Sequence, residues 1–125
     1  MVKYTVTEKG NPQNLQASKK WYANAKSSGD ITLRKLGKEI AARSTVSPAD
    51  TQAVLVALTE VLTEHLADSK IVRLGDFGAF QVSISSDGAE TAEKFSPSLI
   101  KNPKVVFRAG IDIKEMLNNL KYEKA

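Results

Sequence analysis

The stretch that decides the fold runs from Thr45 to Val82 and reads TVSPADTQAVLVALTEVLTEHLADSKIVRLGDFGAFQV. Near its start, Ser47 can cap a helix and Pro48 suits the first helical position, and apolar residues then recur at helical spacing through residues 54–66. After this segment the period changes to two, so that residues 71–74 and 77–86 alternate as strands around a turn. The stretch therefore predicts a long helix followed by a β-hairpin.

The flanking segments extend this order. A shorter helix is predicted between Asp30 and Ser44, a third strand over residues 104–108, and a short last helix after Gly110. From residue 30 the predicted order is helix, helix, strand, strand, strand, helix, which is an α+β class. Residues 1–29 have a different pattern of strand-like and turn-like segments. We assign residues 1–29 to an N-terminal extension of β-strands and residues 30–125 to the main domain.

Length and composition are those of one ordinary domain. The chain has 125 residues, 26% of them charged and 42% hydrophobic, and it has no cysteine. No apolar run approaches the roughly 20 residues of a membrane span, and the first residues lack the apolar core of a signal peptide. The sequence therefore predicts a cytoplasmic protein with no membrane partner, no disulfides and no thiolate metal site.

The net charge of +4 is distributed unevenly. Residues 1–43 contain nine Lys or Arg and three acidic residues, a net charge of +6. Residues 44–93 contain two Lys or Arg and eight acidic residues, a net charge of −6. Residues 94–125 contain seven and three, a balance of +4. Two basic ends around an acidic middle fit a positive surface that faces a polyanion, or equally a well-solvated surface with no particular partner.

The long helix has more apolar surface than the other predicted elements from residue 30 onward can cover. Its stripe includes Val54, Leu58, Val61 and Leu62, with one short helix and a small sheet as partners. Because burial of each such side chain contributes roughly 1.5–3 kcal/mol, leaving several exposed would be costly. A two-fold dimer removes the problem, and the alternative is that the N-terminal extension covers the stripe.

From Thr32 to Leu120 the chain resembles the HU/integration-host-factor family of bacterial histone-like DNA-binding proteins. Two motifs carry the resemblance in the right order: the stretch quoted above and VVFRAGIDIKEMLNNL, residues 105–120. The N-terminal residues resemble the extension of Bacteroides-type members. The resemblance implies an intertwined homodimer, with two N-terminal helices, a small antiparallel β-sheet saddle bearing a β-arm, and a short C-terminal helix. It also implies nucleoid-associated, largely sequence-independent binding of double-stranded DNA.

Individual roles follow from the resemblance. Phe77, Gly78 and Phe80 match the turn and dimer-core aromatics of the family. Arg108 and Gly110 match the element where a basic side chain and a helix N-terminus meet phosphate, an arrangement that suits an anion. The expected DNA contacts are Arg73, Lys94, Lys101, Lys104, Arg108 and Gly110, and the composition of the extension adds Lys19 and Lys20. The expected dimer core is Leu58, Leu62, Phe77, Phe80 and Phe107.

The sequence departs from the family in the arm. Residues 83–104 contain three Lys and three acids, and no Arg-Asn-Pro wedge occurs there. Asp76 replaces a glycine of the family's turn, and Ile111 stands where a Lys is common. Each change weakens the expected DNA affinity, because each lost phosphate contact also removes counterion release. Lysines of the extension, interleaved with Trp21 and Tyr22, either compensate or are simply solvated beside core aromatics.

An enzyme is not expected. The triplet Asp76-Phe77-Gly78 matches the magnesium-binding triplet of protein kinases, but the chain has no phosphate-covering Gly-rich loop and no His-Arg-Asp loop. His65 is the only histidine and lies within the apolar stripe, where a packed or dimer-interface role is favoured. No catalytic residue, metal ligand, cofactor or small-molecule substrate is assigned. Two hypotheses remain: a dimeric architectural DNA binder, and a dimeric protein-interaction module with little DNA affinity.

Overall fold

The computed structural model describes residues 1–125 and confirms the α+β class. Three α-helices and two three-stranded sheets make up the chain. The predicted order from residue 30 is confirmed, and one further strand follows the last helix. The elements are β1 (Val2–Lys9), β2 (Lys20–Lys26), α1 (Leu33–Ala42), α2 (Pro48–Ala67), β3 (Val72–Arg73), β4 (Gly78–Ser86), β5 (Ile100–Ala109), α3 (Ile111–Asn118) and β6 (Tyr122–Lys124), with a 3₁₀ turn at Pro97–Leu99 before β5.

The chain divides into two compact units. One consists of Met1–Thr32 together with Met116–Ala125, and the other of Leu33–Glu115. In the first unit, β1 and β2 form an antiparallel hairpin, and β6 adds to the free edge of β1 in parallel. The sequence predicted strands in the extension but not β6, which brings the last residues of the chain to the first.

In the second unit, α1 and α2 pack together at a glycine. Gly37 is buried in α1, and a Cβ at this position would collide with the side-chain amide of Gln52 in α2. That amide donates a hydrogen bond of 2.9 Å to the carbonyl oxygen of Arg34. Glycine within a helix is normally destabilising. Close packing explains Gly37, because any larger side chain would displace this hydrogen bond.

The start of α2 has the predicted cap. The Ser47 hydroxyl accepts a hydrogen bond of 3.1 Å from the backbone N–H of Asp50, and a proline occupies the first turn. Apolar side chains then lie on nearly every side of α2, a pattern typical of a helix that is surrounded by protein.

The second sheet has the order β3-β4-β5, all antiparallel. β5 is longer than the strand predicted over residues 104–108, because it begins at Ile100. The pairing of β4 with β5 shifts by one residue between Ser83 and Ser85, and Asn102 has a positive φ of 53° there. Such a bulge lets the strand continue through an otherwise unfavourable segment.

A tight turn joins β3 to β4. The backbone N–H of Phe77 donates to the carbonyl of Leu74 at 3.0 Å, and Leu74 N–H donates to the Gly78 carbonyl at 2.8 Å. Gly75 occupies the first central position with φ of 54°, which a hairpin turn with glycine at that position requires. Gly78 has φ of 153°, and a Cβ there would meet the backbone carbonyl of Arg108 and the ring of Phe107. The turn predicted between residues 71–74 and 77–86 is thus confirmed.

The single chain has no buried apolar core. No large hydrophobic side chain is buried, and Val54 (62% exposed), Val61 (47%) and Leu58 (41%) line one side of α2. The chain exposes 10479 Å², whereas a compact monomer of this mass exposes roughly 6,600 Å². No helix combines the length and apolar character that crossing a bilayer would require.

Replacement of Gly78 by Ala tests the turn. The added Cβ would be strained at positive φ and would collide with the Arg108 carbonyl and the Phe107 ring. We expect the free energy of unfolding, measured by denaturant titration, to fall by about 2–4 kcal/mol. Gly88→Ala is the matched control, because nothing lies within 4 Å of a Cβ there. Equal stability of the two variants would contradict this account of the turn.

Candidate functional site

The β3-β4-β5 sheet places two arginines in one row. Arg73 pairs with Ala79, and Ala79 pairs with Arg108, so all three residues lie in register across the sheet and point to the same face. Strand spacing puts the two arginine Cα atoms about 10 Å apart. Both arginines are exposed, and neither forms an ion pair with an acidic side chain. Two uncompensated guanidinium groups therefore flank one small side chain.

A concave site lies at this row. Its volume is about 180 Å³, and glycine and alanine supply most of its wall. The lack of bulky side chains lets a ligand approach the backbone, while guanidinium groups are forks that match the oxygen atoms of phosphate. The lining residues are Arg73, Gly75, Gly78, Ala79, Arg108, Ala109 and Gly110. We call this site the arginine cleft.

The start of α3 is fastened to the β3–β4 turn. Gly110 N–H donates to the Phe77 carbonyl at 2.9 Å, and Asp112 N–H donates to the Asp76 carbonyl at 3.0 Å. A Cβ on Gly110 would collide with the Asp76 carbonyl, so only glycine permits this approach. Two N–H groups that could have faced an anion are therefore already satisfied, which leaves the arginine side chains as the main anion-binding groups of the cleft.

The other basic residues expected in this unit divide into two kinds. Lys104 pairs with Ser83, two positions along from the Gln81–Val106 pair, and lies on the same face as the arginine row without an ion pair. Lys94 and Lys101, in contrast, are paired with acids of the arm: the Lys94 ammonium lies 3.2 Å from Glu90, and that of Lys101 lies 2.5 Å from Asp87. The structure thus brings Arg73, Lys104 and Arg108 together, with Gly110 at one end.

The expected lysines of the extension belong to the first unit. Lys20 opens β2 opposite Lys9, and Lys19 immediately precedes it. Both are exposed.

The expected dimer-core aromatics lie on the opposite face of the β3-β4-β5 sheet. The Phe80 and Phe107 rings have centroids 4.9 Å apart, and those of Phe77 and Phe107 are 5.5 Å apart. Phe77 remains 45% exposed and Phe107 40% exposed, so the cluster has one open side. Of the two helix residues, Leu62 is half-buried and Leu58 is exposed. One sheet face is therefore basic and polar, and the other is aromatic and incompletely covered.

The match to known families covers almost the whole chain. Residues 1–124 match the HU-HIG family, described as an HU domain fused to wHTH, Ig, or Glycine-rich motif. This chain belongs to the HU-HIG family. The resemblance to HU-type proteins seen in the sequence is thereby confirmed.

A solved structure has a fold similar to that of this HU-HIG chain. It is the crystal structure of a protein from Bacteroides vulgatus ATCC 8482 described as a "putative bacterial DNA binding protein", with a TM-score of 0.67 and 10% sequence identity. The alignment covers 98% of this chain and 47% of that one, so this HU-HIG chain spans about half the length of that protein. No curated protein matches the sequence.

Sequence reasoning missed part of the cleft in this HU-HIG chain. Ala79 and Ala109 were not singled out, although both line the cleft. A hairpin register counted outward from the Gly75 turn would have placed Ala79 beside Arg73, because turn geometry fixes which residues pair. The bonds from the α3 start to the turn had no comparable signal, since they join segments about 35 residues apart by backbone atoms alone.

Proposed function

We propose that this HU-HIG chain binds double-stranded DNA, mainly through phosphate contacts and largely independently of sequence, as a non-enzymatic nucleoid-associated homodimer in the cytoplasm. The observation that carries the proposal is the row Arg73–Ala79–Arg108 on an exposed sheet face. Two unpaired guanidinium groups above a cleft with glycine and alanine walls suit the phosphate backbone, and they present no fixed set of groups that would distinguish one base from another.

Family and fold support the same proposal. The HU domain gives the family its name, and the Bacteroides vulgatus protein of similar fold is described as DNA-binding. Lys104 extends the basic face of the sheet away from the arginine cleft, which would lengthen the phosphate-contacting track. A basic track on a sheet face favours contact along the duplex backbone rather than a single buried ligand.

Incomplete burial supports the homodimer. Val54, Leu58 and Val61 recur at helical spacing on α2 and are all exposed in the single chain, and the Phe77–Phe107 cluster has an open side. Burial of such surfaces contributes about 25 cal/mol per Å² of apolar area, so a second copy would be strongly stabilising. Two-fold pairing satisfies the same patch on both chains at once.

The arm favours a second candidate function. Lys94 and Lys101 are each paired with an acid, and residues 83–104 carry no net charge. A neutral arm with Phe95 exposed by 41% fits a protein-interaction module better than a DNA clamp. The alternative predicts no salt-dependent binding of a random duplex.

The arginine cleft is tested by replacing Arg73 and Arg108 singly with Ala. Each arginine that neutralises one phosphate contributes about 0.9 to the slope of log affinity against log salt concentration. We expect each variant to lower that slope by about 0.9 and to weaken binding equally for all duplex sequences, measured by fluorescence anisotropy at several salt concentrations.

The matched control is Arg43→Ala, which removes the same charge from an exposed position after α1. It should leave the slope unchanged. Undetectable binding of a random duplex by the unaltered protein at low salt would reject the DNA proposal in favour of the protein-interaction module. Loss confined to certain sequences would contradict the phosphate role.

Asp76 should weaken binding by placing a carboxylate in the turn whose Gly75 lines the cleft. Two unit charges that are about 8 Å apart in water interact with an energy of roughly 0.5 kcal/mol. We therefore expect Asp76→Asn to raise duplex affinity about twofold at low salt, with the gain lost at high salt. Glu64→Gln on α2 changes the net charge equally and should give no such gain; equal gains from both variants would mean that only net charge matters.

The homodimer is tested on α2 by Leu58→Glu, with molar mass measured by light scattering. The unaltered protein should have the mass of two chains, and the variant should dissociate or unfold, because a carboxylate would be buried in the interface. Ala53→Glu is the control, since Ala53 lies on the same flank of α2 as Glu60. A monomeric mass for the unaltered protein would contradict the proposed dimer.

A further inference from the structure

The N-terminal sheet has one strongly basic face. In the β1–β2 hairpin, Lys3 pairs with Lys26 and Lys9 pairs with Lys20. Residues in register share a face, and residues two apart along a strand return to it, so all four side chains lie on the same side. We call this surface the lysine face.

The lysine face is electrostatically unfavourable when nothing is bound. Like charges directly opposite each other in an antiparallel pair are destabilising, and the hairpin contains two such pairs. None of the four lysines forms an ion pair with an acid. Glu123 of β6 pairs with Lys3 in register and is the one acid on this face, while Glu8 belongs to the opposite face. The surplus charge therefore fits an external polyanion.

Polar groups fill the area between the two lysine pairs. Thr7 and Asn24 lie on this face, and the Asn24 side-chain amide donates a hydrogen bond of 2.7 Å to the Thr7 hydroxyl. Tyr22 lies opposite Thr7 and is 48% exposed. The other face of the sheet has an apolar concavity, which is lined by Val2, Tyr4, Ala23, Ala25 and Tyr122. The two faces thus have different chemistry, and only the lysine face suits an anion.

A concavity at the end of the hairpin adds to the lysine face. Its volume is about 610 Å³, and Lys9, Lys20 and Tyr22 contribute to its wall beside the loop that joins the strands. Lysine ammonium groups and a tyrosine phenol beside a concavity can hold phosphate oxygens by charge and by hydrogen bonds.

We propose that the lysine face is a second binding surface for the backbone of duplex DNA, separate from the arginine cleft. The inference rests on the proposed function, since it assigns a further contact to the same ligand. Lys3 and Lys9 are six residues apart on β1, which corresponds to about 20 Å along the strand. That span exceeds the roughly 12 Å width of the major groove, so the two lysine pairs can contact phosphates on both sides of a groove.

The test compares charge-neutral and charge-retaining variants. The double variant Lys9→Gln/Lys20→Gln removes two contacts and should lower the slope of log affinity against log salt by about 1.8. At 0.1 M salt the affinity should fall roughly ten- to a hundredfold. Lys9→Arg/Lys20→Arg retains both charges and should retain the slope. Lys70→Gln/Lys124→Gln, at exposed positions away from the lysine face, is the matched charge control and should change the slope little.

The outcomes separate this inference from the proposed function. No duplex binding by the unaltered protein would overturn both. If the unaltered protein binds duplex DNA and the Lys9→Gln/Lys20→Gln variant has the same salt slope as the unaltered protein or the charge control, the lysine face alone is overturned. Circular dichroism and thermal unfolding should show the hairpin retained, because neutralisation removes a repulsive pair. A lower slope in the Lys9→Arg/Lys20→Arg variant would also overturn the inference, since that variant retains both charges and the loss would then have another cause. Salt-dependent binding that remains in an Arg73→Ala/Arg108→Ala variant, and is reduced further by adding Lys9→Gln/Lys20→Gln, would support it.

Discussion

The carbonyl groups of Asp76 and Phe77 hold the start of α3, and the arrangement of the arginine cleft depends on those two hydrogen bonds. They bring Gly110 so close to the turn that a side chain there would collide with the Asp76 carbonyl. The same turn sets the register that pairs Arg73 with Ala79, and the pairing of β4 with β5 places Arg108 on the other side of Ala79. Gly78 and Gly110 are therefore needed for close backbone approach, whereas Gly75 is needed for its positive φ. The charged groups are positioned by backbone contacts rather than by a buried apolar core.

The absence of such a core is the second constraint. α2 is apolar on nearly every side, yet no large hydrophobic residue of the chain is buried. Small domains are stabilised by only about 5–15 kcal/mol, so a chain with this much exposed apolar surface depends on further burial. The proposed dimer supplies it at α2 and at the aromatic face of the β3-β4-β5 sheet. Assembly and DNA binding would then be coupled, because the sheet that carries the arginine row on one face carries the incompletely covered Phe77–Phe107 cluster on the other.

Local signals in the sequence predicted local structure, and pairing between distant segments was harder to predict. The Ser47 cap, the length of α2 and the Gly75 turn all follow from residues within a few positions of one another. β6 was missed because three residues carry no periodicity, and its partner β1 lies at the other end of the chain. β5 was predicted too short, over residues 104–108 alone, whereas the bulge near Asn102 allows pairing to continue towards Ile100. Arg108 was expected from the family resemblance, but its position beside Ala79 and Arg73 depends on register.

The distribution of ion pairs then decides which basic residues are available to a phosphate. A phosphate that contacts Lys94 or Lys101 must compete with Glu90 or Asp87 and would bring their negative charges close to its own. Arg73, Arg108 and Lys104 have no such competitor, and the lysine face has a single acid among its pairs. A lysine that is already paired must give up its ion pair to contact a phosphate, which offsets part of the gain from counterion release. In this chain the free energy of DNA binding should therefore come from sheet faces, and the arm, with no Arg-Asn-Pro wedge and no surplus charge, should contribute little to bending the duplex.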